Sequence, residues 1–312
     1  MEPALRTFIT AMAEATVLKR IGVIWHDRVA KLPELASQLA TAPHYDDGTL
    51  FHVASSLKWR SLASSLYLDR VLRRSESARL KAFNRWAAAR FDNGRFLGDR
   101  FVLEMPPEFP NASQVVLNDL REIYLENRYA TLFPFGRFIE ANDVVIDCGA
   151  NIGAFAIYAA TRALNVTVLA FEPETVTYQA LVRNVVANGL SDQIRCLPSG
   201  VGEHVTNLGI LRRSDCFTMH GLQESGADES VQCTTIDECR LDRCDLIKMD
   251  VEGFEVPALK GSRATLQRFR PKLTVAAYHR PTDPWVLSRL VKDICPSYNV
   301  LVSGDAHLYA FP

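Results

Sequence analysis

The chain has no excess of charge of either sign: 35 Lys plus Arg stand against 36 Asp plus Glu, a formal charge of -1. Such a balance gives no general pull toward nucleic acid. The nearest basic stretch, Arg70, Arg73, Arg74, Arg79, Lys81, Arg85 and Arg90, recurs at helical intervals and reads as the solvated face of a helix. There is no Cys-x-x-Cys pair among the seven cysteines, and the nearest group, Cys233, Cys239 and Cys244, matches no zinc spacing. Reduced thiols in a cytoplasmic protein are the expectation. No run reaches the roughly 18 apolar residues that cross a bilayer. Glu2, Arg6, Glu14, Lys19 and Arg20 interrupt any apolar targeting segment. Also absent are Gly-x-Gly-x-x-Gly and a glycine loop followed by Lys-Ser/Thr, which counts against a dinucleotide and a triphosphate.

What is present is a turn between a strand and a helix. Val144-Val-Ile lead into Asp147, Gly149 and Gly153 bracket Ala150 and Asn151, and Phe155, Ile157, Tyr158 and Leu164 follow at helical spacing. Open α/β sheets bind nucleotide-like cofactors at such a turn, where a glycine lets the backbone approach a ligand. A second strand ends in Phe171-Glu172-Pro173, where an acidic side chain can accept from both hydroxyls of a ribose. A cofactor with a ribose but no pyrophosphate fits both features, and S-adenosylmethionine is the candidate.

From residue 143 onward strand and helix alternate. Strands are expected at Val144–Asp147, Val166–Glu172, Ile194–Leu197, Asp245–Asp250 and Leu273–Tyr278, with a helix from Thr175 to Asn188. Tyr298–Val302 and Leu308–Phe311 read as an antiparallel hairpin on the sheet edge. The expected fold is α/β: a doubly wound, mostly parallel, seven-stranded sheet across 111–312, preceded by a mainly helical region over 1–110. Near that boundary, short extended pieces are expected from Phe96 to Met105 and a helix from Gln114 to Tyr124. Asp215 to Ser230 reads as a loop over the pocket.

The fourth strand runs into Asp250-Val-Glu252-Gly-Phe-Glu255, at the carboxyl edge where ligands of open sheets bind. If the strand continues, Asp250 and Glu252 face the same side, while Glu255 begins the next helix and favours its N-terminus. His279 ends the fifth strand. Asp147-x-Gly-Ala-Asn-x-Gly153, Phe171-Glu-Pro173, Ile247-Lys-Met-Asp-Val-Glu-Gly-Phe-Glu255, Leu259-Lys-Gly261, Arg270-Pro-Lys and Tyr278-His279 with Asp283 together resemble the FkbM-type S-adenosylmethionine-dependent methyltransferase family. The resemblance covers about residues 120 to 312.

The resemblance implies a Rossmann-like class I methyltransferase acting on the hydroxyl of a small molecule such as a sugar or polyketide. It assigns Asp147, Gly149, Ala150, Asn151 and Gly153 to the methionine part of the cofactor, Glu172 to the ribose and Ser199-Gly200 to the border of the adenine, with Asp250 facing cofactor and acceptor. Transfer to a hydroxyl needs a base, and His279 or Asp250 is the candidate, with Glu252 beside them. A divalent ion on Asp250, Glu252 and His279 stays open but is not favoured, because their spacing does not force one. Many family members carry an acid two residues before the histidine; here Ala277 stands there, which weakens any role that acid has in orienting the ring. The region 1–110 is left as a lid, a dimerisation element or a docking surface for a carrier-bound intermediate. A non-catalytic binding protein on the same fold is the alternative, an NAD-dependent oxidoreductase a third reading, and nucleic-acid methylation a weaker one.

Overall fold

The structure, a computed structural model, describes residues 87, 91–92, 95–97, 101–109, 112–125, 128–129, 138–211, 221–223, 229–303 and 306–312. Most of the region expected to be helical, the basic stretch after Arg70 included, lies outside them.

Three short strands come first: β1 (Phe91–Asp92), β2 (Arg95–Leu97) and β3 (Val102–Glu104), paired antiparallel. They answer to the extended pieces expected from Phe96. Helix α1 (Ala112–Leu120) follows and widens into a π turn at Arg121–Leu125, over the stretch expected to be helical from Gln114. Strand β4 (Val144–Cys148), helix α2 (Ala154–Arg162), strand β5 (Thr167–Phe171), helix α3 (Thr175–Ala187) and strand β6 (Ile194–Leu197) begin the main sheet. The sheet resumes after an excursion with β11 (Leu246–Met249), α4 (Glu255–Lys260), α5 (Arg263–Phe269), β12 (Lys272–Ala276), α6 (Asp283–Ile294), β13 (Asn299–Val302) and β14 (His307–Phe311).

The strand order is β13-β14-β12-β11-β4-β5-β6. The five strands from β12 to β6 are parallel, and β14 pairs antiparallel with both β12 and β13. Seven strands, mostly parallel, and the antiparallel edge hairpin agree with the sequence reading. Strand interiors are buried on both faces, so they read as continuous apolar runs. Successive residues pack to opposite sides: Val145, Val168 and Ala170 join one core with α1, α2 and α3, while Ile146, Leu169 and Phe171 join the other with α4, α5 and α6. The chain order reverses between β4 and β11, which opens a crevice at their carboxyl ends.

Two features were not expected. The excursion is a four-stranded sheet of β7 (Gly200–Val201), β8 (Thr206–Leu211), β9 (Gly221–Gln223) and β10 (Glu229–Thr234), ordered β7-β10-β8-β9. The segment read as a loop from Asp215 to Ser230 therefore contains β9 and the start of β10; residues 212–220 and 224–228 lie outside the described set. The other feature is the seating of β3 on α3. Asn188 accepts from Val102 N–H at 2.8 Å and donates to Val102 O at 2.7 Å. Asn184 treats Glu104 in the same way, at 2.6 and 3.1 Å, so two side-chain amides act as the strand's partner. Phe96, Leu103 and Met105 share the core of α2 and α3. Among the described residues no helix is long and apolar enough to cross a membrane. Cys148, Cys233, Cys244 and Cys295 are buried as free thiols, as small apolar side chains are.

Candidate active site

A cleft lies over the carboxyl ends of β4 and β11 and holds about 860 Å³ of space between its walls, part of it open to solvent. Gly149, Ala150 and Asn151 form one wall, Glu172 and Pro173 a second, and Ser199, Gly200 and Val201 a third. Asp250 and Glu252 face them from the end of β11, and Asp119, Ile123 and Tyr129 close the remaining side.

Asp147 and Gly153 stand behind this wall. Asp147 is fully buried, and its carboxylate sits 3.0 Å from Nζ of Lys248, its register neighbour across β4 and β11. Lys248 also donates to the carbonyl of Gly149 at 2.7 Å. Burial pulls its ammonium down, but the charges of Asp147 and Asp250 outweigh that and raise it, so it stays protonated. Gly153 caps α2 at φ 93, with Leu181 where a Cβ would sit. Both residues hold the shape of the turn, whereas Gly149, Ala150 and Asn151 present its surface.

Glu172 is pinned by three donors: Asn151 N–H at 2.8 Å, Glu174 N–H at 3.0 Å and the Thr177 hydroxyl at 2.9 Å. A carboxylate has about four acceptor sites, so one remains toward the cleft. Burial raises its carboxyl to about 7, although these hydrogen bonds pull it back. Such an acid holds its proton more tightly folded than unfolded. Its contribution to stability is present below the ordinary carboxylate range and is lost as pH rises through about 7. The hydroxyl of Ser199 is directed to backbone carbonyls, Gly200 O at 2.9 Å and Gln232 O at 3.1 Å. Ser199 therefore lends the cleft its backbone more than its side chain.

The acidic run converges by a turn. β11 ends at Met249, and Glu252 adopts φ 54 and Gly253 φ 92. This brings Glu252 Oε2 to 3.4 Å and Asp250 Oδ1 to 3.6 Å from Nε2 of His279, three residues beyond the end of β12. The expectation that a continuing strand would place Asp250 and Glu252 on one side reaches the right neighbours through the wrong backbone. Glu255 does begin α4, and it does more than favour a helix end. Its buried carboxylate accepts from Val251 N–H at 3.0 Å and lies 3.0 Å from Nδ1 of His279. Glu255 thus stands on the ring where the acid absent at Ala277 was in doubt; Ala277 is itself buried in the core. For His279, burial acts downward, but the carboxylates of Glu252, Glu255 and Asp250 prevail and raise it to about 10. Its ring is an imidazolium at neutral pH.

Four residues of this site carried no role in the sequence reading. The hydroxyls of Tyr278 and Tyr129 both donate to Asp250 Oδ2, at 2.9 and 3.3 Å. Tyr129 packs edge-on to Phe155 at 5.0 Å. Asp119 of α1 adds a carboxyl that burial, and then the charges of Glu122 and Asp250, push well above the usual range. Lys248 is the fourth. Only Lys248 had an available signal: it falls at the same strand position as Asp147, opposite in charge, in two strands expected to be neighbours.

A profile described as the methyltransferase FkbM domain matches residues 147–299. Curated proteins similar to this chain include methyltransferase sdnD of Sordaria araneosa, 26% identical over 159 residues, covering 39% of this chain and 61% of that protein. The hexuronic acid methyltransferase AglP of Haloferax volcanii is 28% identical over 162 residues, covering 49% of this chain and 63% of its own. The 31-O-demethyl-FK506 methyltransferase FkbM of Streptomyces tacrolimicus is 38% identical over 74 residues, 24% of this chain and 27% of its own. The chain thus spans less than two thirds of the length of each. Among solved structures, methyltransferase FkbM from Methylobacillus flagellatus KT aligns with a TM-score of 0.46 at 22% identity, over 76% of this chain and 60% of that one.

Proposed function

Because residues 147–299 are a methyltransferase FkbM domain, we propose that the chain transfers the methyl group of S-adenosylmethionine to a hydroxyl of a small molecule. The observation that carries this reading is the facing of the Gly149–Asn151 turn and Glu172 by Asp250 across one cleft. The walls suit a cationic, phosphate-free cofactor: Glu172, Asp250 and Glu252 line them, and the lining cation Lys248 is already held by Asp147. The turn at Gly149–Asn151 would hold the methionine end, Glu172 the ribose, and Ser199–Val201 the adenine border. When bound, S-adenosylmethionine supplies an electrophilic methyl group on a sulfonium. Asp250, which lines the cleft, is the group placed to take the acceptor's proton, since the His279 imidazolium has no lone pair to offer. Tyr129 and Tyr278 donate to Asp250 Oδ2 and so fix the orientation of the carboxylate. His279, held from behind by Glu255, steadies the carboxylate charge. Much of the acceleration would come from alignment of acceptor oxygen, methyl and sulfur. A hydroxyl acceptor is supported by the Streptomyces protein, a 31-O-demethyl-FK506 methyltransferase, and a small-molecule acceptor by the Haloferax protein, a hexuronic acid methyltransferase.

A thermal-shift comparison tests the cofactor: S-adenosylhomocysteine should raise the melting temperature and NAD should not. Stabilisation by NAD alone would sink the reading. Methyl-labelled S-adenosylmethionine incubated with an extract of the source organism should yield a labelled small molecule. With that acceptor in hand, Asp250→Asn should lower kcat by at least about 100-fold, and full activity in that variant would remove Asp250 from the role. Cofactor affinity should also depend on pH through Glu172. Ribose hydroxyls favour the ionised carboxylate, so calorimetry should find S-adenosylhomocysteine bound about tenfold more weakly at pH 6 than at pH 8, with Glu172→Gln abolishing the difference. A pH-independent affinity in the unaltered chain would contradict this.

A further inference from the structure

Among the described residues, two groups of ligand atoms lie within 4.8 Å of one another: Asp250, Glu252 and His279, and Glu255, His279 and Asp283. They share the imidazole, but their carboxylates are not equally available. In the second group Glu255 accepts from the N–H of Val251 and Gly253, and Asp283 accepts from the N–H of Arg280. In the first, Oδ1 of Asp250 is sealed from solvent and has no hydrogen-bond donor, although it points at the same centre as Glu252 and Nε2 of His279. The other ring nitrogen, Nδ1, is turned to Glu255 at 3.0 Å. A metal-bound histidine has this arrangement, one nitrogen on the ion and the other facing a carboxylate that sets tautomer and orientation. Charge points the same way, because Asp250 and Glu252 line one end of the cleft while the lining cation is taken by Asp147.

We propose that Asp250, Glu252 and His279 bind one divalent cation of the Mn2+/Mg2+ class beside the cleft, which displaces the Nε2 proton of the imidazolium, and that the methyl acceptor meets it through two adjacent oxygens. Two carboxylates and one imidazole suit such ions better than thiophilic ones. In an octahedral ion about three positions stay open for water or acceptor, which favours a vicinal diol or a 2-hydroxy acid. A cation there draws electron density from the attacking oxygen and makes its proton easier to lose. Use of the ion by an acceptor rests on the methyl-transfer reading above; binding of the ion does not.

Titration of the full chain with Mn2+ to about 1 mM, followed by loss of the free-ion electron paramagnetic resonance signal, should show one ion per chain. Asp250→Asn and Glu252→Gln should each weaken binding at least about tenfold, and Asp283→Asn should leave it unchanged. Glu252 is partly exposed in a turn, so Glu252→Gln keeps the comparison valid if Asp250→Asn does not fold. The site is overturned if the unaltered chain binds no Mn2+, if Glu252→Gln binds as tightly, or if Asp283→Asn loses as much. Calorimetry with S-adenosylhomocysteine, without metal, separates the two readings. A chain that takes Mn2+ but no S-adenosylhomocysteine removes the methyl-transfer reading and keeps the metal site, and the converse result does the reverse.

Discussion

Lys248→Met should destabilise the chain by about 3–5 kcal/mol, because it leaves a buried carboxylate without its counter-charge. Asp147 has no exposed surface, and Lys248 is 4% exposed. The Nζ of Lys248 is 3.0 Å from Asp147 and donates to the carbonyls of Gly149 and Cys148, at 2.7 and 3.4 Å. The side chain therefore ties β11 to β4 and to the turn above it at once. Methionine keeps most of the volume but none of these contacts. The measurement is urea unfolding of both chains, read as the change in midpoint at constant slope. Adding Asp147→Asn to the variant should restore a large part of the loss, since the unpaired charge is then gone. A loss under about 1 kcal/mol, of the size seen for exposed pairs, would mean that water reaches the pair and that the turn is held in some other way.

This pair also marks where the sequence stops being legible. The turn from Asp147 to Gly153 points to a ligand, and its first acid is easily assigned to that ligand. Only the register of β4 against β11 shows that Asp147 faces Lys248 inside the sheet. The main sheet itself was readable because parallel strands buried on both faces become apolar runs, and Gly189 and other small turn residues separate them. The sheet of β7, β8, β9 and β10 was not, because Thr206–Leu211 and Glu229–Thr234 mix polar and apolar residues at the periphery.

The site divides in the same manner. Asp250, Glu252 and His279 are visible from where they fall relative to strand ends, and the structure brings them within 3.6 Å of contact through the ring. Their supports are not visible. Tyr129 comes from a segment before β4, Asp119 from α1 and Glu255 from a helix start, and each meets the cluster only because of how the chain closes over the sheet. Glu252 depends on a left-handed turn, φ 54, which a strand-parity argument cannot supply.

The backbone approach at the cleft gives the other large effect. Gly149→Ala should abolish measurable binding of S-adenosylhomocysteine and cost several-fold more stability than Gly189→Ala. Both glycines have positive φ, +77 and +67, so both substitutions carry the left-handed penalty of roughly 1–2 kcal/mol. Nothing lies within 4 Å of a Cβ at Gly189, so that penalty is all it pays. A Cβ at Gly149 would lie 2.0 Å from the carbonyl oxygen of Asp250, a backbone atom that no rotamer change can move aside. Relief requires β4 and β11 to part at their carboxyl ends, which shifts Asp250 from Tyr129 and Tyr278 and opens the wall that Gly149, Ala150 and Asn151 present. The two variants, compared by thermal melting and by calorimetry with S-adenosylhomocysteine, separate strain from collision. If Gly149→Ala melts and binds like Gly189→Ala, the close approach of turn and strand end is not what shapes the cleft. If it loses both stability and binding, the glycine is required because the Asp250 carbonyl, just past the end of β11, leaves a Cβ no room.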